Sequence, residues 1–117
     1  MSIHTPALTK LADRCDVAYA VDLIGGKWKI SIIWELARHG QTRLSALRRQ
    51  LAGISEGVLI VQLKELERDG LIRRIDFKEV PPHVEYRLTE RSQKLIATIR
   101  SLEQWGAEYR RASRAAR

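Results

Sequence analysis

The side chains best equipped to engage a ligand are cations. Arg43, Arg48, Arg49, Lys64, Arg68, Arg73, Arg74, Lys78 and Arg87, with His83 among them, are strung through the middle of the chain. Lys and Arg number 21 against 14 Asp and Glu, a formal charge of +7. Guanidinium and ammonium groups donate to phosphate oxygens, so this surplus favours a polyanionic partner, nucleic acid before membrane. Groupings for catalysis are missing: serines serve as caps or sit in helices, no histidine accompanies a nucleophile, and no glycine-rich phosphate loop occurs. His4, His39 and His83 share no metal-ligand spacing with each other or with Cys15, so neither a metal nor a cofactor is expected. The chain reads as a binding protein, not an enzyme.

Cys15 is the single thiol. It cannot close an intrachain disulfide, which fits a reducing compartment. A reactive thiol needs exposure and cationic company. Arg14 supplies a cation, while Asp13 and Asp16 oppose it. Two readings stay open: a redox sensor, acting through a bond to the second subunit's cysteine, a mixed disulfide or alkylation, or a small residue packed at an interface.

The elements that must hold these groups are legible from spacing. At 117 residues the chain is one domain. Residues 1–10 read as a loose arm. Leu11 opens a helical periodicity that runs to Ile24, with Ala18 on or near its apolar side, and Gly25-Gly26 break it. Lys27 to Arg38 repeats at helical spacing through Trp28, Ile32, Ile33 and Leu36. Thr42 to Leu44 fits a very short strand, and Ser45 is expected to cap a helix from Ala46 to Leu51 that turns Arg48 and Arg49 outward.

The central stretch is Ile54 to Leu71. Ser55 is a suitable N-cap, Leu59, Leu63 and Leu66 form one stripe, and Gly70 suits the left-handed C-terminal position. The opposite side carries Gly57, Val61, Lys64 and Arg68, with Glu56 and Ile60 on the outer first turns. Two helices joined by a short glycine-bearing turn form a helix-turn-helix, whose second helix enters the major groove. Arg43, Arg48 and Arg49 then fall near phosphates. LIRRIDF and VEYRLT read as strands around a proline-bearing loop, a hairpin with Arg73, Arg74, Lys78, His83 and Arg87 along it. Thr89 is expected to cap a last helix bearing Leu95, Ile99, Leu102, Trp105 and Tyr109 at three- and four-residue spacing. That stripe exceeds what a small winged domain needs to cover itself, and predicts a second copy of the chain as partner. Residues 111–117 read as a basic tail. The fold class is therefore mostly α with a small β-hairpin: a winged helix-turn-helix with N- and C-terminal dimerisation helices.

CDVAYAVDLIGGKWKISIIWEL, LSALRRQLAGIS, LKELERDGLI and EVPPHVEYRLTERSQKL together resemble the HxlR-type regulators, a MarR-like branch of the winged-helix transcription factors. The resemblance spans Cys15 to Gly106. It implies a homodimer, built by the terminal helices, that binds palindromic double-stranded DNA and responds to oxidants, electrophiles or a small molecule. It also implies that the cysteine position of Cys15 serves as a sensor in some members. An effector pocket would draw walls from Tyr19, Trp28, Trp34, Tyr86, Trp105 and Tyr109, which serve equally well as core. The chain departs from the family at Gly57, Ile60 and Val61, where polar or basic residues are common. Ile and Val can meet only a thymine methyl, so readout is expected to be T-rich or to lean on phosphate contacts and DNA shape. The alternative is an interaction module, or a binder without sequence preference. No stretch of about 18 apolar residues occurs and no signal segment opens the chain, so a cytoplasmic protein is expected.

Overall fold

In the computed structural model, residues 13–116 are described. Their order is α1 (Asp16–Ile24), α2 (Lys29–His39), β1 (Thr42–Arg43), α3 (Leu44–Gln50), α4 (Glu56–Arg68), β2 (Ile72–Asp76), β3 (Val84–Leu88), α5 (Glu90–Gln93) and α6 (Leu95–Ala115). Residues 1–10 and Leu11, the expected arm and the first residue of the expected N-terminal helix, lie outside the described residues.

The core forms where three surfaces converge on the leucine stripe of α4. Leu59, Leu63 and Leu66 are fully buried against Ile32, Ile33 and Leu36 of α2, Leu47 of α3, and Ile72, Tyr86 and Leu88 of the sheet. Full burial of each aliphatic side chain contributes about 1.5–3 kcal/mol, which is the main force holding α4 in place. Both ends of α4 are closed as their residues dictate. Ser55 Oγ accepts the Val58 N–H at 3.2 Å. At the other end Gly70 takes φ 76°, and Leu71 N–H reaches Leu66 O at 2.9 Å while Gly70 N–H reaches Glu67 O at 3.0 Å. Those two bonds satisfy carbonyls that the helix end would otherwise leave unpaired.

The sheet has three antiparallel strands in the order β1-β3-β2. The short strand at Thr42 therefore does not stand apart from the hairpin: Thr42 pairs with Tyr86 and Arg43 with Glu85. This pairing corrects the expected start of α3. Arg43, held extended by β1, occupies the N-cap position, and the helix begins at Leu44, so Ser45 lies inside it and caps nothing. Thr89 does cap a helix, accepting the Ser92 N–H, but that helix is the four-residue α5. Ser92 Oγ donates back to Thr89 O at 3.0 Å, a local bond that competes with the helical ladder. The long helix α6 starts afresh at Leu95.

α6 then leaves the body of the domain. Ile99 is buried, but Leu102, Trp105 and Tyr109 are 49%, 60% and 62% exposed, and the two aromatic rings stack on each other at 5.3 Å. On α1, Val17, Tyr19 and Val21 are likewise exposed, while Ala18 is buried. Of the residues expected at a dimer contact, Ile99 belongs to the core and Leu95 packs partly against it, because the first turns of α6 close the domain. The basic tail continues α6 as helix to Ala115.

Candidate nucleic-acid interface

Capping and the leucine stripe fix which side of α4 faces outward. Ser55, Glu56, Gly57, Val58, Val61, Lys64 and Arg68 are exposed, and Ile60 is half-buried. Val58, 42% exposed, is an outward residue that the leucine spacing alone did not single out. After the acidic Glu56, the outer face is apolar at Gly57, Val58 and Val61, and its last two turns carry Lys64 and Arg68 with the exposed Glu67 between them. Arg68 has a carboxylate at hand, with Nε 3.3 Å from Asp69 Oδ1.

A groove of about 690 Å³ runs between α3, the turn before α4 and the hairpin. Arg43, Arg48 and Arg49 line it from α3 and its cap, Glu56 from α4, and Pro82 and Val84 from the hairpin side. The three arginines, chosen on sequence for phosphate contact, thus share one concave surface beside the start of α4. A second recess, about 360 Å³, separates α4 from the sheet and brings Lys64 together with Arg74 over Ile60 and Tyr86. Burial pushes the Tyr86 phenol up, and the nearby Arg74 partly opposes this.

The hairpin cations divide. Tyr86 and Leu88 point into the core, so by strand alternation Arg87 projects from the other face. Its register partner is Arg73. Two exposed like charges directly opposite each other are unfavourable unless an anion lies across them. Arg74 instead pairs with Tyr86 on the α4 side, with Nη1 3.9 Å from Asp76 Oδ2. Lys78 turns through φ 58° while its N–H donates to Asp76 Oδ1 at 2.8 Å.

His83 has a different setting from the other basic groups. Its ring stacks on Phe77 at 4.3 Å, Nδ1 lies 3.2 Å from Glu79 Oε2, and Nε2 meets Glu85 Oε2. Glu85 also accepts from Gln41 Nε2 at 2.7 Å. This relay ties the proline loop to the turn before β1. The Gln41 bond first, and His83 second, hold the Glu85 carboxyl below the usual range. A depressed folded-state value means that the ionised carboxylate contributes stability above the ordinary glutamate range, and that this is lost as pH falls through the folded value. Gln41→Ala should therefore move the NMR-detected titration of Glu85 to higher pH. An unmoved midpoint would show that Gln41 does not hold the carboxylate in solution.

Spacing concealed one feature inside the apolar pattern. Lys29 shares the buried stripe of α2 with Ile32, Ile33 and Leu36, and its Nζ lies 2.7 Å from Glu65 Oε1 of α4. Both side chains are almost fully buried. Desolvation lowers the Lys29 ammonium, opposed by Asp69 and Asp22 and reinforced by Arg68. The signal present was Lys29, a charge at a position where the period of α2 asks for an apolar residue, while Glu65 lies off the leucine stripe of α4.

Cys15 occupies the N-cap position of α1, half-buried, without a capping bond from its side chain. The aromatic candidates for an effector pocket do not gather in one place. Trp28 and Trp34 pack partly on the core, Tyr86 is buried in the sheet, and Tyr19, Trp105 and Tyr109 are exposed on α1 and α6. Among the described residues no helix is long and apolar enough to cross a membrane, and no cluster of potential metal ligands occurs.

Comparison with known proteins agrees with this layout. The HxlR-like helix-turn-helix family matches residues 23–114. An uncharacterized HTH-type transcriptional regulator of Halalkalibacterium halodurans is 44% identical over 90 residues, covering 77% of this chain and 80% of the relative. The HTH-type regulator YdeP of Bacillus subtilis is 42% identical over 98 residues, 84% of this chain and 76% of its own. Among solved structures, the redox regulator HypR in its reduced form is 35% identical, superposes with a TM-score of 0.80, and covers 86% of this chain and 99% of its own. The match takes in α2, the helix-turn-helix, the hairpin and nearly all of α6, and the chain belongs to the HxlR-like helix-turn-helix family of DNA-binding transcriptional regulators.

Proposed function

We propose that this regulator binds a palindromic operator as a homodimer, with α4 in the major groove and the arginine groove on the phosphate backbone. The observation that carries the reading is the convergence of Arg43, Arg48 and Arg49 on one concavity beside the exposed start of α4. Phosphate contacts there would fix register and orientation, leaving base choice to Gly57, Val58, Ile60, Val61 and Lys64. Lys64 and Arg74, sharing a recess, would meet the same backbone, and Lys78 would extend the contact along the hairpin. Arg73 and Arg87 on the outer sheet face would add long-range attraction.

The exposed residues of α1 and the uncovered half of α6 support a two-fold dimer. Such a dimer sets two recognition helices about 34 Å apart, one turn of DNA. An effector would act by altering their distance or angle, since both half-sites are read only at matching spacing. Cys15 is the candidate for that input, a role supported by likeness to a protein described as a redox regulator. A cytoplasmic site of action follows from a DNA target.

Selection of bound duplexes from a random pool tests the reading. A palindromic motif preferred by at least ~10³ over random DNA is expected. Its loss after mild oxidation, absent in Cys15→Ser, would make Cys15 the sensor, and persistence would return Cys15 to packing. Steep salt dependence without a motif would overturn specific readout in favour of an interaction module. Val58 and Val61 invite a finer test. Val61→Ala should weaken preference at a T·A step, because only the thymine methyl offers valine a contact. An unchanged motif would remove Val61 from readout.

A further inference from the structure

We propose that the buried Lys29–Glu65 pair is a positioning device that fixes the rotation of α4 about its own axis, and through it the sequence specificity of the regulator. The inference rests on the DNA-reading role of α4 given above.

The pair is costly where it stands. Two charges are withdrawn from water, and the cation opens α2, where the helix dipole is positive. A hydrophobic pair of similar volume would fill the same space without that cost. What apolar contact cannot supply is direction. Leu59, Leu63 and Leu66 hold α4 against the core by burial, whose driving force is non-directional and constrains rotation only through side-chain fit. An ion pair at 2.7 Å is directional.

Its position gives it leverage. At about 100° per residue, Glu65 lies about 120° around α4 from Leu59 and only about 40° from Val61. It therefore stands on the shoulder between the buried stripe and the outward face. A helix with its side chains has a radius of about 5–6 Å, so a slip of about 20° would carry outward side-chain ends by about 2 Å. That is enough to take a valine off a methyl group while leaving long, flexible arginines on their phosphates. Asp22 of α1 is also buried and acts electrostatically on Lys29, which places the pair between the proposed dimer helix and the recognition helix.

The test compares wild type with Lys29→Met/Glu65→Leu, using the motif selected by the wild-type protein and a scrambled duplex at one salt concentration, with denaturant unfolding in parallel. The double variant should fold, keep its affinity for scrambled DNA within about twofold and keep the salt slope, while its ratio of operator to scrambled affinity falls at least tenfold. A purely structural pair would change unfolding and leave that ratio alone. If the apolar pair does not fold, Glu65→Gln, which keeps shape and removes charge, should show the same direction of loss in the ratio. A folded variant with the wild-type ratio overturns the proposal while leaving the DNA reading intact. A wild type that selects no motif overturns the DNA reading, and the positioning role with it.

Discussion

Exchanging Arg48 and Arg49 together for alanine is expected to lower affinity for every duplex, specific or random, by about 10²-fold or more. Both residues line the groove beside α4 and both are exposed. A hydrogen bond to a charged group contributes about 1.5–3 kcal/mol, and two such bonds together give the expected scale. The salt dependence carries the sharper signature. Each phosphate contact contributes close to one unit to the slope of log affinity against log salt, so the double variant should be flatter by nearly two. The preferred motif should stay the same, because backbone contacts hold no base information. Binding across a salt series measures affinity and slope together. An unchanged slope would remove the two arginines from the interface, and a changed motif would make them readers of bases.

Leu63→Ala should destabilise the fold by about 2–5 kcal/mol. Leu63 sits mid-stripe on α4, 1% exposed, in the core cluster that also takes residues from α2, α3 and the sheet. Truncation removes its transfer energy and leaves a cavity that a packed interior closes only in part. For a domain of this size, each kcal/mol lowers the melting temperature by about 4–8 °C, so a fall of more than ~10 °C is expected. Urea unfolding at constant m-value checks the free energy. Leu63→Met, which nearly conserves volume, should cost less than ~1.5 kcal/mol. Equal losses from the two substitutions would show that the damage lies outside cavity formation.

What could be read in advance divides along physical lines. The ends of α4 were legible because Ser55 and Gly70 act within one turn of themselves, and the leucine stripe because burial imposes its period on the sequence. The start of α3 lies two residues ahead of the expected Ala46 for the opposite reason. Arg43 is held extended by Glu85, far along the chain, and no local pattern around Ser45 records that strand pairing. The hairpin cations were recognised by type but not by side. Only the strand register shows Arg73 against Arg87, and only the packing of α4 on the sheet brings Arg74 and Lys64 into one recess. His83 looked like one more cation until the fold brought Glu79 and Glu85 to its two nitrogens. Lys29 was visible as a charge on the apolar stripe of α2, whereas Glu65 stands among other charges of α4 and gave no such sign. Their partnership was not visible, since it needs α2 and α4 to be placed side by side.

The outward half of α6 also bears on how the protein exists at low abundance. Beyond Ile99 the stripe of α6, at Leu102, Trp105 and Tyr109, gains little from burial in its own chain, and short unsupported helical segments are marginal in water. In the proposed dimer, ordering of that segment and association of two chains become a single equilibrium, so apparent stability rises with protein concentration. Dilution should fray α6 before the winged core melts. At the few copies typical of a regulator, DNA carrying both half-sites would itself act as the assembling ligand, drawing two chains together on a template. Occupancy would then climb with roughly the square of protein concentration, and a modest change in synthesis would switch the site.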